Sequence, residues 1–148
     1  MTEVPHPATW PDPETVIAVG GWNPRYARVL AVAGNGAVAF ALVDTNGDGV
    51  EVDIDELFHE ADGQWRPGMS SGAGGSIVPT GSGPVYSLGH GQDFDGLRYA
   101  YGRGDRPGAG QVWVLGQRLD VTVTESGWWV WVAERPDPAR RPPPLRPR

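Results

Sequence analysis

Apolar positions along this chain come in short runs that alternate with polar residues and are cut by turn-forming ones. Val50, Val52 and Ile54 alternate with Glu51, Asp53 and Asp55, the period of two that gives a strand one apolar and one acidic face. Arg28 to Ala33 and Ala37 to Val43 flank Gly34-Asn35-Gly36, and an Asn-Gly pair between β-type runs is a strong hairpin signal. Asp62-Gly63 predicts a second hairpin, with Glu60 near Trp65. Thr15 to Val19 reads as a short apolar strand ending at Gly20-Gly21, and no stretch shows helical spacing. Gly68 to Gly91 is rich in glycine and reads as a long loop with one or two short strands around Ile77-Val78 and Val85 to Leu88.

The C-terminal half has the clearest pattern. Leu97, Tyr99 and Tyr101 alternate with Arg98 and Ala100. A two-residue turn at Gly116-Gln117 would pair Val114 with Leu119 and Val112 with Val121. A turn at Glu125-Ser126-Gly127 would then pair Val123 with Trp129 and Val121 with Trp131. These residues share one face and are the predicted core, while Trp128, Val130 and Val132 form an apolar stripe on the other face. Many short strands separated by turns predict an all-β fold, a small antiparallel β-sandwich of immunoglobulin-like kind, with a partly open barrel as runner-up. The predicted organisation is an N-terminal segment over residues 1–12, one β domain over 13–134, and a Pro/Arg-rich tail over 135–148 expected to be disordered.

The run Gly96-Leu-Arg-Tyr-Ala-Tyr-Gly-Arg, followed by a Pro-Gly turn, Val112-Trp-Val and Gly127-Trp-Trp-Val-Trp-Val, resembles small β-rich, Trp- and Arg-rich proteins of high-GC bacteria that have no assigned role. The likeness covers residues 96–133 and, more loosely, 28–68. It implies a compact β domain and no particular activity.

Composition narrows the chemistry. Cysteine is absent, so disulfides, thiolate nucleophiles and cysteine metal sites are excluded. All 12 basic residues are arginine, which excludes a Walker A loop and a Schiff-base lysine. No apolar run is long enough for a membrane helix and no secretory leader is recognisable, which gives a cytoplasmic expectation. The net charge is −6, and the region from Asp44 to Asp62 holds eight acids and no Lys or Arg. The segment from Arg135 to Arg148 carries five arginines against one acid, so the body repels nucleic acid and only the tail suits phosphate.

Three stretches are candidates for chemistry. Asp44-Thr45-Asn46-Gly47-Asp48-Gly49 resembles the first half of a calcium loop, with Asp44, Asn46 and Asp48 as side-chain ligands, the Val50 carbonyl as a fourth, and Glu51, Asp53, Asp93 or Asp95 completing a Ca²⁺ site. The competing reading is a hairpin turn whose aspartates cap their own backbone. Gly68-Met69-Ser70-Ser71-Gly72 spells a nucleophile-elbow motif around Ser70, with His90, Asp93 and Asp95 downstream, but the sequence lacks the α/β alternation that motif needs. Arg141 to Pro147 spells R-x-x-P-x-x-P, with Arg141, Pro144 and Pro147 as polyproline-type recognition residues. Seven tryptophans are many for this length, and Trp113 and Trp128 are the candidates for an exposed aromatic surface. The expected function is a non-catalytic interaction protein with a protein partner, using that surface and an acidic edge. The alternatives are a calcium-stabilised, sugar-binding module and, third, a hydrolase around Ser70.

Overall fold

A computed structural model describes residues 10–72 and 84–133. One helix, α1 (Pro13–Gly20), precedes nine strands: β1 (Arg28–Gly34), β2 (Val38–Asp44), β3 (Val52–His59), β4 (Trp65–Gly72), β5 (Val85–Gln92), β6 (Arg98–Gly104), β7 (Gly108–Val114), β8 (Gln117–Val123) and β9 (Trp128–Val132). β1 to β4 form an antiparallel sheet in chain order, β5, β6 and β9 form a second sheet, and β7 with β8 forms a two-stranded ribbon. The sheets are not closed into a barrel, and the architecture is an all-β sandwich. No helix of the described residues is long and apolar enough to cross a membrane.

Apolar side chains on both faces of the sheets create stacked layers. Between the first and second sheets lie Phe40, Leu42, Val52 and Ile54 against Tyr101, Trp128 and Val130. The far side of the second sheet places Ala100 and Trp129 against Val112, Leu119, Val121 and Val123 of the ribbon. The far side of the first sheet is covered by α1, where Val16 meets Ala41, Val43 and Leu57. β2 is therefore buried on both faces, which explains its unbroken apolar run.

Four expectations need correction. Thr15 to Val19 is helical, because Asp12 accepts a hydrogen bond from the Thr15 amide at 2.8 Å, Pro13 occupies the first turn, and Gly21 ends the helix at a φ of 74°. The Gly-rich stretch from Gly68 onward is less loop than expected, since β4 runs to Gly72 and β5 runs from Val85 to Gln92. Gly91 in β5 serves close approach: a Cβ there would come within 2.6 Å of the Tyr99 hydroxyl of the neighbouring strand. The ribbon turns at Leu115-Gly116, one residue earlier than expected, so Val112 pairs with Leu119 and Gly110 with Val121. That moves the register by two, which keeps every side chain on its face, and the buried set of Val112, Leu119, Val121, Val123 and Trp129 stands as expected. Finally, β9 pairs with β6 (Gly102 with Trp129) and not with β8.

The same rearrangement corrects Trp128. It is only 7% exposed, because the first sheet covers the stripe formed by Trp128 and Val130. Both faces of β9 are core faces.

Candidate functional site

Three of the exposed large apolar side chains belong to the ribbon and the second sheet, while the others, Trp10, Tyr26 and Val50, belong to the first 50 residues. Trp113 on β7 is 66% exposed, as the sequence led us to expect, and Leu115 in the β7–β8 turn is 79% exposed. Phe94, in the turn between β5 and β6, is 86% exposed. Gln92 and Arg98, at the two ends of that turn, line a concavity of about 170 Å³ together with Tyr99, Leu115 and Trp131. A shallower hollow of about 520 Å³ adjoins it, sharing His90, Val114 and Leu115 and adding Trp113. The two hollows thus share His90, Val114 and Leu115 as a common wall. The Arg98 guanidinium is held on the rim, donating to Gln117 Oε1 at 2.9 Å and lying 5.8 Å over the Trp131 ring. Arg118 lies 5.9 Å over Trp113 and shades one face of the indole.

Leu115 has a φ of 49°, the only positive value at a non-glycine among the described residues, and Gly116 follows at 77°. Such a pair makes the tight turn that suits a twisted ribbon, where Asn-Gly is the usual solution. A branched apolar side chain in that conformation costs about 1–2 kcal/mol and, at this exposure, recovers nothing by burial within the fold. Phe94 breaks composition in the same way, as a bare aromatic within Asp93-Phe94-Asp95-Gly96. The sequence singles out neither: with the turn expected at Gly116-Gln117 Leu115 reads as a strand end, while Phe94, an apolar residue within an acidic turn, is the readable signal of the two.

A second cluster is buried. Glu56 on β3 is 3% exposed; its Oε1 accepts from the Met69 amide at 3.1 Å, and its Oε2 is buried with no N–H or O–H donor. The Asp93 carboxyl lies close to it. Two ionised carboxylates are both acceptors and repel, so their proximity favours a proton kept on Glu56. Burial, then the neighbouring Asp93 carboxyl and the charge of Asp95, pushes Glu56 up to about 8. Asp93 is itself buried and accepts the Asp95 and Leu97 amides at 2.9 Å each. This contact joins the first sheet to the β5–β6 turn that carries Phe94. Tyr99 lies close by and is raised by burial, then by Glu56.

The remaining expected residues separate. Asp44 is buried and its two oxygens accept the Gly47 amide at 3.0 Å and the Gly49 amide at 2.8 Å. Asn46 accepts the Asp48 amide at 3.3 Å and Asp48 accepts the Val50 amide at 2.8 Å, so the aspartates serve their own turn. Val50 and Glu51 are exposed. Among the described residues no three acidic or histidine side chains gather as a metal-ligand group. Ser70 lies within β4, not at a strand-to-helix elbow; its hydroxyl donates to Asp55 Oδ1 at 2.7 Å and lies 3.3 Å from Asp53. Asp55 also accepts the Trp22 indole at 2.7 Å, and Asp53 is raised by burial and then by the charge of Asp55. These acids form a structural network beneath Trp22, so the acidic face of β3 is partly covered. Arg141, Pro144 and Pro147 lie outside the described residues. Comparison of the chain with protein families, curated proteins and solved structures finds no match.

Proposed function

We propose that the chain is a non-catalytic binding protein that engages a protein partner through the surface formed by Phe94, Trp113 and Leu115 around the paired hollows. The observation that carries this reading is Leu115, an exposed apolar side chain kept in a strained turn beside an exposed tryptophan. Large, rigid apolar residues around a hollow are what anchor a protein interface, since most binding energy comes from a few such side chains. The acidic edge contributes less than its composition suggests. Asp44, Asp55 and Glu56 turn inward, and Glu60 and Asp62 are ion-paired with Arg66 at 3.4 and 3.0 Å.

The test is site-specific photocrosslinking in the cells that make the protein, with a photoreactive residue at Leu115 or, as control, at Glu60. A discrete adduct from position 115 that disappears with Trp113→Ala, and no matching adduct from position 60, is the expected result. Equal adducts from both positions, or none from position 115, would remove the reading.

A further inference from the structure

We propose that the protein partner is held through a segment that places an Asp or Glu carboxylate beside a large apolar side chain, the carboxylate meeting Arg98 and the apolar group entering the hollow lined by Tyr99 and Trp131. This rests on the reading of that surface as a protein-binding site and names the chemistry of the partner.

The sign of the lining comes first. The chain carries 18 acids and a net charge of −6, yet no acid lines either hollow. The ionisable groups there are His90, Arg98 and Tyr99, and Arg118 stands alongside over Trp113. Hollows elsewhere on the ribbon have Asp120 in their walls. Asp95, the acid nearest to Arg98 in sequence, is exposed in the β5–β6 turn and lines neither hollow. Positive charge gathered at one place on an acidic protein selects an acidic group and repels a basic one.

Arg98 is positioned but unspent. Its backbone is fixed by pairing with Gln92 and by the Ala133 amide, which donates to its carbonyl at 2.9 Å. In the side chain, Nη1 donates to Gln117 Oε1 at 2.9 Å, and the guanidinium lies 5.8 Å over the Trp131 ring. The Nε–H is buried with no acceptor. Among the described residues both ion pairs belong to Arg66, so Arg98 has no carboxylate of its own. A guanidinium matches a carboxylate with two parallel bonds. Gln117 and Trp131 set its plane before a ligand arrives, which lowers the ordering cost of binding.

Size then favours a peptide side chain over a free metabolite. The Arg98 hollow is about 170 Å³, and its apolar walls are Tyr99, Val114, Leu115, Leu119 and Trp131. An apolar cavity of about 150 Å³ holds one benzene ring. Sites for whole small molecules start at about 300 Å³. One Phe or Leu side chain fits. A nucleic acid is disfavoured, because the acidic protein repels a chain of phosphates, while a single carboxylate responds mainly to the arginines beside it.

The experiment pans a phage-displayed library of random dodecapeptides against the full chain. Enriched sequences are synthesised with both ends blocked and titrated by fluorescence anisotropy. The expected consensus is Asp or Glu next to Phe, Trp or Leu. Replacing that acid by its amide is expected to weaken binding to the wild-type chain at least about tenfold. On Arg98→Met, which keeps an apolar stem on Trp131 and removes the charge, the same replacement is expected to cost less than about twofold. The peptide exchange alone needs no change to the protein, so the result does not depend on the variant folding. Peptides without an acid, or indifferent to its amide, would overturn the proposal; if Trp113→Ala still abolishes their binding, the surface stands and only the partner's chemistry is wrong. Peptides that bind Trp113→Ala and Leu115→Ser as tightly as wild type would remove the surface reading as well. Phenylacetate or single-stranded oligothymidylate binding as tightly as the best peptide would also overturn the proposal, in favour of a small acid or a nucleic acid. A library that yields no enriched peptide overturns it too, and the crosslink from position 115 then decides the surface itself.

Discussion

Glu56→Gln isolates the buried proton. In the folded chain Glu56 titrates at about 8, against an ordinary value of 4.5. Between those limits the folded state holds a proton that the unfolded state has released. Stability therefore falls as pH rises through this window and is level again above it. The displacement corresponds to at most about 5 kcal/mol, since each tenfold change in acidity is about 1.4 kcal/mol. Water entering on ionisation reduces this to roughly 2–4 kcal/mol. Glutamine keeps the acceptor for the Met69 amide and offers an N–H to the Asp93 carboxyl at every pH, so its stability lacks this term. Urea unfolding, followed by fluorescence of the fully buried Trp129, measures both proteins across the window from 4.5 to 8 and beyond it. The stability difference, variant minus wild type, is expected to swing toward the variant as pH rises, because all other groups are common to both. A difference that stays constant with pH would mean that Glu56 ionises normally beside Asp93.

Two further substitutions test the turns. Leu115→Asn places the usual Asn-Gly pair at the ribbon turn and is expected to raise stability by about 1 kcal/mol, or roughly 2–4 °C in Tm. A lower Tm would show that Leu115 is packed and unstrained. Asp44→Ala deprives the Gly47 and Gly49 amides of a buried charged acceptor and is expected to cost about 2–3 kcal/mol, with Asp44→Asn losing about half as much; chemical denaturation reads both, and a neutral alanine variant would show the loop to be held by its other contacts.

What could be read from the chain followed from the period of two. The ribbon and β9 announced themselves because alternation survives a register error of two, so Val112, Leu119, Val121 and Trp129 were placed in the core despite a misplaced turn. Alternation fails where a strand is buried on both faces. Trp128 looked solvent-facing only because one covering layer was assumed, and nothing local to β9 reports that the first sheet lies on its other side. α1 was hidden by β-branched residues, Thr15, Val16, Ile17 and Val19, although the Asp12-Pro13 start carried the helix signal. The Glu56–Asp93 pair joins residues far apart in sequence, and their meeting depends on how the second sheet stacks on the first. The surface was half legible. Trp113 follows from alternation alone, but with the turn expected at Gly116-Gln117 Leu115 reads as the end of a strand, and Phe94 carries no periodic signal. A turn needs only its backbone geometry, so a large apolar side chain there, unburied and in one case strained, has no reason within the fold. The proposed function accounts for it as a surface that a partner covers.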